Sequence, residues 1–298
     1  MKLLIIGSEG FIGSNAALYF EQRNYDVHCA DIILKESENY TVINPEFPDF
    51  SQLFYKQPFD VCINASGTAN VQLSFKYALM DYSLNTLNVY HILEAIKLFN
   101  PNCKFINFSS AAVYGNPQYL PIDESHPLKP LSPYGLHKYY SERICKEFYE
   151  YYNILTLSIR VFSAYGPRLK KQLFWDLFQK SKQKYVELFG TGDETRDFIY
   201  IIDLLKALEL IINSYKFNGD CINVANGIQI KIKDVMQLFY KIIEWEGQYI
   251  FNGKNRLGDP SKWEADIEII KQLGYQQSFS IEQGLTNYAE WAKENVLV

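Results

Sequence analysis

Short, mainly apolar runs of strand length recur through the first half of the chain at Lys2–Ile6, Val27–Ala30, Val61–Asn64, Lys104–Phe108 and Leu155–Arg160. Longer stretches with apolar residues at helical spacing lie between them, at Phe11–Gln22, Tyr82–Phe99 and Pro133–Tyr152. A strand that is apolar on both faces must be covered on both. A helix between consecutive strands supplies the cover and also returns the chain for parallel pairing. The pattern therefore predicts an α/β fold with a doubly wound, Rossmann-like parallel sheet.

Beyond about Gly166 the alternation loosens. Helical stretches at Leu173–Lys182, Asp203–Ser214 and Lys233–Glu246 accompany strand-like pieces at Tyr185–Phe189 and Cys221–Val224. We read residues 1–165 as a cofactor-binding domain and residues 166–298 as a smaller α/β, mainly substrate-binding domain, with some segments free to return to the first. Between Asn116 and Pro133 the chain holds Pro117, Pro121, Pro127, Pro130 and Pro133, five of its eleven prolines, which predicts a stiffened loop.

Composition narrows the function classes. The 298 residues are 48% hydrophobic and 21% charged, with a net charge of −5, which excludes disordered and collagen-like classes. A pI near 5.5 leaves no general basic field for a nucleic-acid polymer. Cys29, Cys62, Cys103, Cys145 and Cys221 are odd in number, widely spaced and free of any CxxC pair, so they read as thiols of a reducing compartment. His28, His91, His126 and His137 have no ligand spacing, so no metal site is expected. The apolar run at Leu3–Ile6 is too short for a signal or a membrane span, and a cytoplasmic location follows as the expectation.

The first strand runs into Gly7-Ser8-Glu9-Gly10-Phe11-Ile12-Gly13 and then an amphipathic helix. Glycines permit a tight turn and close backbone approach, and the start of a helix offers unpaired N–H groups to an anion such as a pyrophosphate. Asp31 closes the second strand, where a carboxylate accepts from both hydroxyls of an adenosine ribose and repels a 2′-phosphate. This combination predicts NAD as cofactor, in preference to NADP, with Gly7, Gly10, Phe11, Ile12, Gly13 and Asp31 at its binding site.

The spacing is GxxGxxG, and other segments follow in a characteristic order. They are Asn64-Ala65-Ser66-Gly67, Asn85, Ser109-Ser110-Ala111-Ala112-Val113-Tyr114-Gly115, Tyr134-Gly135-Leu136-His137-Lys138, Arg160 to Arg168, Thr195-Arg196-Asp197-Phe198 and Arg256-Leu257-Gly258-Asp259-Pro260. With them the chain resembles, over nearly its whole length, the extended short-chain dehydrogenase/reductase family in its NAD-dependent nucleotide-sugar epimerase/dehydratase branch. The resemblance adds Ile32, Ala65, Ser66, Gly67, Asn85, Ser109, Tyr134, Lys138 and Phe162 to the expected cofactor contacts. It also assigns Ser110, Ser163, Arg196 and Arg256 to a nucleotide-diphosphate sugar, the arginines through its phosphates.

Tyr134 and Lys138 stand four apart behind Ser132 as N-cap and Pro133 as first helical residue, so they share one helix face. A tyrosine acting as base near neutrality needs its pKa lowered by roughly 2–3, or about 3–4 kcal/mol of phenolate stabilisation. A nearby ammonium and a cationic nicotinamide have the right sign. Ser110, Tyr134 and Lys138 thus form the expected catalytic set. Where related dehydratases carry an acidic pair, and decarboxylases a carboxylate, this chain has Ala111 and Ala112. Elimination and decarboxylation are therefore disfavoured. Reversible hydride transfer at a carbinol, usually C4, leads to an epimerase with a transient 4-keto intermediate. The alternative is a 4-ketosugar reductase; a non-catalytic NAD-binding regulator is disfavoured because Ser110, Tyr134 and Lys138 are all kept.

Two positions depart from the family pattern: Ser163 replaces an asparagine, and His137 replaces the usual serine, its side chain expected to point away from the Tyr134 face. The helices at Tyr82–Phe99 and Pro133–Tyr152 carry apolar residues on more than one face, and in the family such helices pair across a two-fold axis. A homodimer is expected.

Overall fold

The computed structural model describes residues 1–254 and 256–296. The chain opens with β1 (Lys2–Ile6), α1 (Phe11–Glu21), β2 (Asp26–Asp31), β3 (Tyr40–Val42), α2 (Ser51–Phe54) and β4 (Val61–Asn64). Next come α3 (Val71–Lys76), α4 (Ala78–Tyr82) and α5 (Asn88–Phe99), the last two joined through a π-helical turn at Ser83–Leu87. After β5 (Lys104–Ser110) and a 3-10 turn at Ala111–Val113 come α6 (Pro133–Tyr152), β6 (Thr156–Val161) and β7 (Ser163–Tyr165). The remainder holds α7 (Gln172–Lys180), β8 (Tyr185–Leu188), β9 (Thr195–Tyr200), α8 (Ile201–Ser214), β10 (Cys221–Val224), β11 (Gln229–Lys231), α9 (Ile232–Ile242), β12 (Gln248–Phe251), α10 (Glu268–Gln272) and α11 (Ile281–Val296).

Seven parallel strands form the main sheet in the order β10-β6-β5-β4-β1-β2-β3. The order reverses between β1 and β4, so a crevice opens there beyond the carboxyl ends of the strands. All five strands read from the first half lie in this sheet. Alternate residues feed opposite cores: Leu3 and Ile5 pack with Ala16, Phe20 and Leu208, while Leu4 and Ile6 pack with Ile92, Leu93 and Phe148. A three-stranded sheet, β11-β9-β7, and a parallel pair, β12-β8, lie outside the main sheet.

Helix α6 has the bounds its capping signals predict. The Ser132 hydroxyl accepts from Gly135 N at 3.1 Å, Pro133 starts the helix, and Asn153 ends it at φ 57°. Its first turn also lies against the 3-10 turn, because a Cβ on Gly135 would stand 2.6 Å from the Ala112 carbonyl oxygen. Further along, Glu142 meets Arg160 of β6 in a buried two-pronged pair, with Arg160 Nε donating to Oε1 at 2.9 Å and Nη2 to Oε2 at 2.8 Å.

The sequence pattern did not predict β3, β7, β9, β11, β12 or α11. Most of these strands have only three or four residues, too few for alternation to emerge. In α11 the buried Leu285, Tyr288, Ala289 and Ala292 are diluted by polar neighbours and by Gly284. Helix α9 stops at Ile242, short of the expected Glu246, and Glu244 already has φ 58°.

Removing one member of the Glu142–Arg160 pair strands a buried charge. Glu142→Leu is expected to lower the unfolding free energy by about 3–5 kcal/mol in urea titration, and the double change Glu142→Leu with Arg160→Met to recover most of that loss.

Candidate active site

The glycine turn leaves β1 at the crevice. Gly7 has φ 83°, and a Cβ there would lie 2.6 Å from Ser66 N; a Cβ on Gly13 would lie 2.0 Å from the Gly7 carbonyl oxygen. These close approaches bring the β1 and β4 loops together and press the start of α1 against the turn. Gly10 caps α1 without a side-chain hydrogen bond, so the N–H groups of Phe11, Ile12 and Gly13 have no intrahelical partner. Asp31 fastens the opposite rim, its two oxygens accepting from Glu9 N at 2.9 Å and Ile32 N at 2.7 Å. An ionised carboxylate has about four lone-pair sites, which leaves room for a vicinal diol.

Across the crevice, Ala65, Ser66 and Gly67 continue from β4. Asn85 is buried in the π-helical turn, where its Oδ1 accepts from Thr68 N at 3.3 Å. Its Nδ2 has no partner among the described residues. Single π turns interrupt a helix at sites of function, and this one turns a side chain onto the loop after β4.

Ser110 ends β5, its hydroxyl accepting from Ala112 N at 3.2 Å. Tyr134 lies in the first turn of α6, its N–H donating to Ser74 Oγ at 3.1 Å. Burial pushes the Tyr134 phenol up to about 12; the Ser110 side chain pulls against that and the Asp81 charge adds to it. Lys138 is buried, with Nζ donating to the Phe108 carbonyl at 2.9 Å. Burial pushes its amine down to about 8, opposed by Asp81 and reinforced by Lys171. The expected lowering of the phenol by a neighbouring ammonium therefore does not come from this arrangement alone. Desolvation dominates, and the Lys138 ammonium is directed to a carbonyl.

Several residues do other work than the sequence suggested. The Ser109 hydroxyl donates to Glu142 Oε1 at 2.6 Å, which leaves its backbone for any cofactor contact. The Phe162 ring is buried between Tyr114 and Trp263, at centroid distances of 6.2 and 5.7 Å. Ser163 lies on β7 in register with Phe198. The His137 ring is not idle: it turns toward α4 and meets Asp81, with Nδ1 and Oδ2 2.6 Å apart. Neither Asp81 nor Glu142 was foreseen. For Asp81 the only signal was the unusual histidine at 137.

Arg196 and Arg256 converge. Both act on Asp259, whose carboxyl is raised by burial and lowered by the two guanidinium groups. Arg196 lies over the Trp263 ring at 5.3 Å and Arg256 over Phe189 at 4.6 Å. The start of β9 and the segment at 256–259 thus bring two guanidinium groups together beside Asp259, and Arg256 Nη2 also lies 3.8 Å from Asp176 Oδ2. A separate cavity of about 380 Å³, lined by Tyr165, Phe198, Asn226 and Ile281, contains none of the expected site residues.

Residues 3–225 match the NAD dependent epimerase/dehydratase family. A Methanocaldococcus jannaschii protein provisionally named a UDP-glucose 4-epimerase is 29% identical, over 98% of this chain and 99% of its own. The bovine (Bos taurus) dTDP-D-glucose 4,6-dehydratase is 25% identical, over 99% of this chain and 89% of its own. The structure of UDP-glucuronic acid 4-epimerase from Bacillus cereus, in complex with UDP-glucuronic acid and NAD, superposes with a TM-score of 0.88 at 26% identity, covering 99% of this chain and 100% of that one. With the family match running from β1 through β10, the chain belongs to the NAD-dependent epimerase/dehydratase family.

Proposed function

We propose that the protein is an NAD-dependent epimerase of a nucleotide-diphosphate sugar. One observation carries the reading: Ser110, Tyr134 and Lys138 gather where β5 and α6 meet, while Ala111 and Ala112 leave no second acid there. Relatives include both epimerases and dehydratases, so kinship alone does not choose between them. The alanines do, because elimination needs a further proton-transfer group.

NAD suits the residues present. The uncapped start of α1 and the cradle that a Cβ on Gly7 or Gly13 would fill suit its pyrophosphate, Asp31 suits the adenosine ribose, and the unpaired Asn85 amide faces the loop after β4. When bound by these residues, NAD+ would supply reversible hydride transfer at the carbinol carbon of the sugar. Ser110 hydrogen-bonds the reacting oxygen, and Tyr134 takes the hydroxyl proton and later gives it back. Lys138, as ammonium, favours the phenolate and reaches the nicotinamide ribose. Arg196 and Arg256 hold the substrate diphosphate, and Ser163 lies on the sugar side. On this reading, residues 1–165 supply most of the cofactor side and residues 166–298 most of the substrate side, apart from β10, which joins the main sheet. Free cysteines suit a reducing cytoplasm.

The paired helices also support a homodimer. Ile92, Leu93 and Phe148 are spent on the core, but Leu84 and Leu87 of the π-helical turn before α5 and Leu136 and Tyr140 of α6 remain exposed. A stable interface requires about 800 Å² per partner, which two such helices can supply.

Incubated with a panel of nucleotide sugars and followed by NMR, the protein is expected to form an epimer without added reduced cofactor; turnover only with stoichiometric reduced cofactor would instead identify a reductase. Tyr134→Phe should keep NAD binding and lower turnover by at least about 10²–10⁴-fold. With the phenol at about 12 and the amine at about 8, the phenolate–ammonium form is a minor tautomer of the singly protonated pair, so the rate should rise toward about pH 8 and then level off; a rate independent of pH between about 6 and 8 would contradict the role given to the pair. Light scattering at micromolar concentration should give a dimer, and Leu84→Arg a monomer.

A further inference from the structure

Between Tyr134 and Lys138 on the helix stands His137, bound to Asp81 of α4. The two side chains are only 10% and 2% exposed. The pair is one of three ties between the start of α6 and the segment at 74–86. Tyr134 N donates to Ser74 Oγ at 3.1 Å, and Thr86 Oγ1 donates to the His137 carbonyl at 2.9 Å. The Tyr82 ring covers the imidazole edge-on, with centroids 5.4 Å apart.

Asp81 differs from the other buried acid in this helix layer. Glu142 spends both oxygens on Arg160 and Ser109. Asp81 uses Oδ2 on His137, while Oδ1 is buried with no partner among the described residues. Burying a carboxylate is costly, and a half-satisfied one more so. A pair serving only to fasten two helices would gain from a second donor. The uncompensated oxygen instead leaves a field that acts on both reacting groups.

We propose that Asp81 and His137 are positioning residues for the epimerase reaction, holding the Tyr134–Lys138 turn in place and lending negative charge that keeps the Lys138 ammonium protonated in a dry site. This rests on the reading of Tyr134 and Lys138 as the catalytic pair. Several groups face them. The charge of Lys138 is acted on by Asp81, by Lys171 of the segment before α7, and by Glu142 and Cys145 of α6 itself; that of Tyr134 by the Ser110 side chain of β5 and by Asp81. Asp81 opposes both burial and Lys171 in setting the charge of Lys138. It also raises the phenol, so its removal moves both groups the same way.

Asp81→Asn keeps the volume and removes the charge. With its nucleotide sugar the variant should keep KM within about twofold and lose about tenfold in kcat. The rising limb of its pH profile should shift to lower pH, by about one unit. A purely mechanical tie would lower the rate and leave that limb in place. The Lys138 ammonium is also to be titrated directly by NMR of ¹⁵N-lysine-labelled protein without substrate, with Lys138→Met identifying the signal. Its midpoint should fall in Asp81→Asn. It should fall likewise in Asp81→Leu, which removes the charge without burying a new amide; this variant decides the matter if Asp81→Asn fails to fold. A midpoint unmoved in both variants overturns the proposal, even where Tyr134→Phe is inactive. If no nucleotide sugar is turned over, the reaction reading fails separately and the lysine titration still decides whether Asp81 sets the charge.

Discussion

A carboxylate and a guanidinium cut off from water join the helix carrying Tyr134 and Lys138 to the strand beside the one carrying Ser110. Glu142 lies one turn beyond Lys138, and its contacts reach Arg160 on β6 and Ser109 on β5 together. Arg160 extends the network through Nη1 to the Tyr114 hydroxyl at 2.9 Å, and Tyr114 reaches Asn223 of β10 at 2.6 Å. One ion pair therefore sets the register of helix against sheet at the level where Ser110, Tyr134 and Lys138 come together. Such pairs contribute little net stability over apolar substitutes. Their directional hydrogen bonds specify geometry that greasy packing leaves free to slide.

Dryness gives the site its chemical character. Tyr134 and Lys138 are displaced from their ordinary titration ranges in opposite directions by the same cause, the loss of water around the charged form. The phenol resists ionising and the amine resists protonation. Charges brought close to them are felt strongly there, whether they come from Asp81, Lys171 or a bound cationic ring. Groups poised in this way respond to ligand binding more than exposed ones can.

Much of this was legible in the order of residues, where local physics and tertiary structure agree. The glycine turn stands where sterics forbid a Cβ, and Ser132-Pro133 marks the start of α6 by capping chemistry that needs no partner elsewhere. The central runs of the main sheet are mainly apolar because helices cover both faces. Other features depend on distant partners and leave no local mark. Asp81 meets a histidine 56 positions away, and Glu142 reads as an ordinary polar helix residue until Arg160 comes beside it. The π turn around Asn85 has no compositional signature, and β7 is a short continuation of β6 past Phe162, which periodicity cannot separate.

The main sheet takes one of its two edge strands, β10, from roughly sixty residues beyond the neighbour it pairs with, β6. During synthesis on the ribosome, the exposed edge of β6 must therefore wait while α7, β8, β9 and α8 emerge. The amino-terminal half cannot finish its own fold in the order in which it is made, and a nascent chain halted near residue 165 would present an unpaired edge to any passing strand. Asn223, which closes the polar network behind Tyr114, arrives with that last strand, so the network around Arg160 is complete only when most of the polypeptide is out.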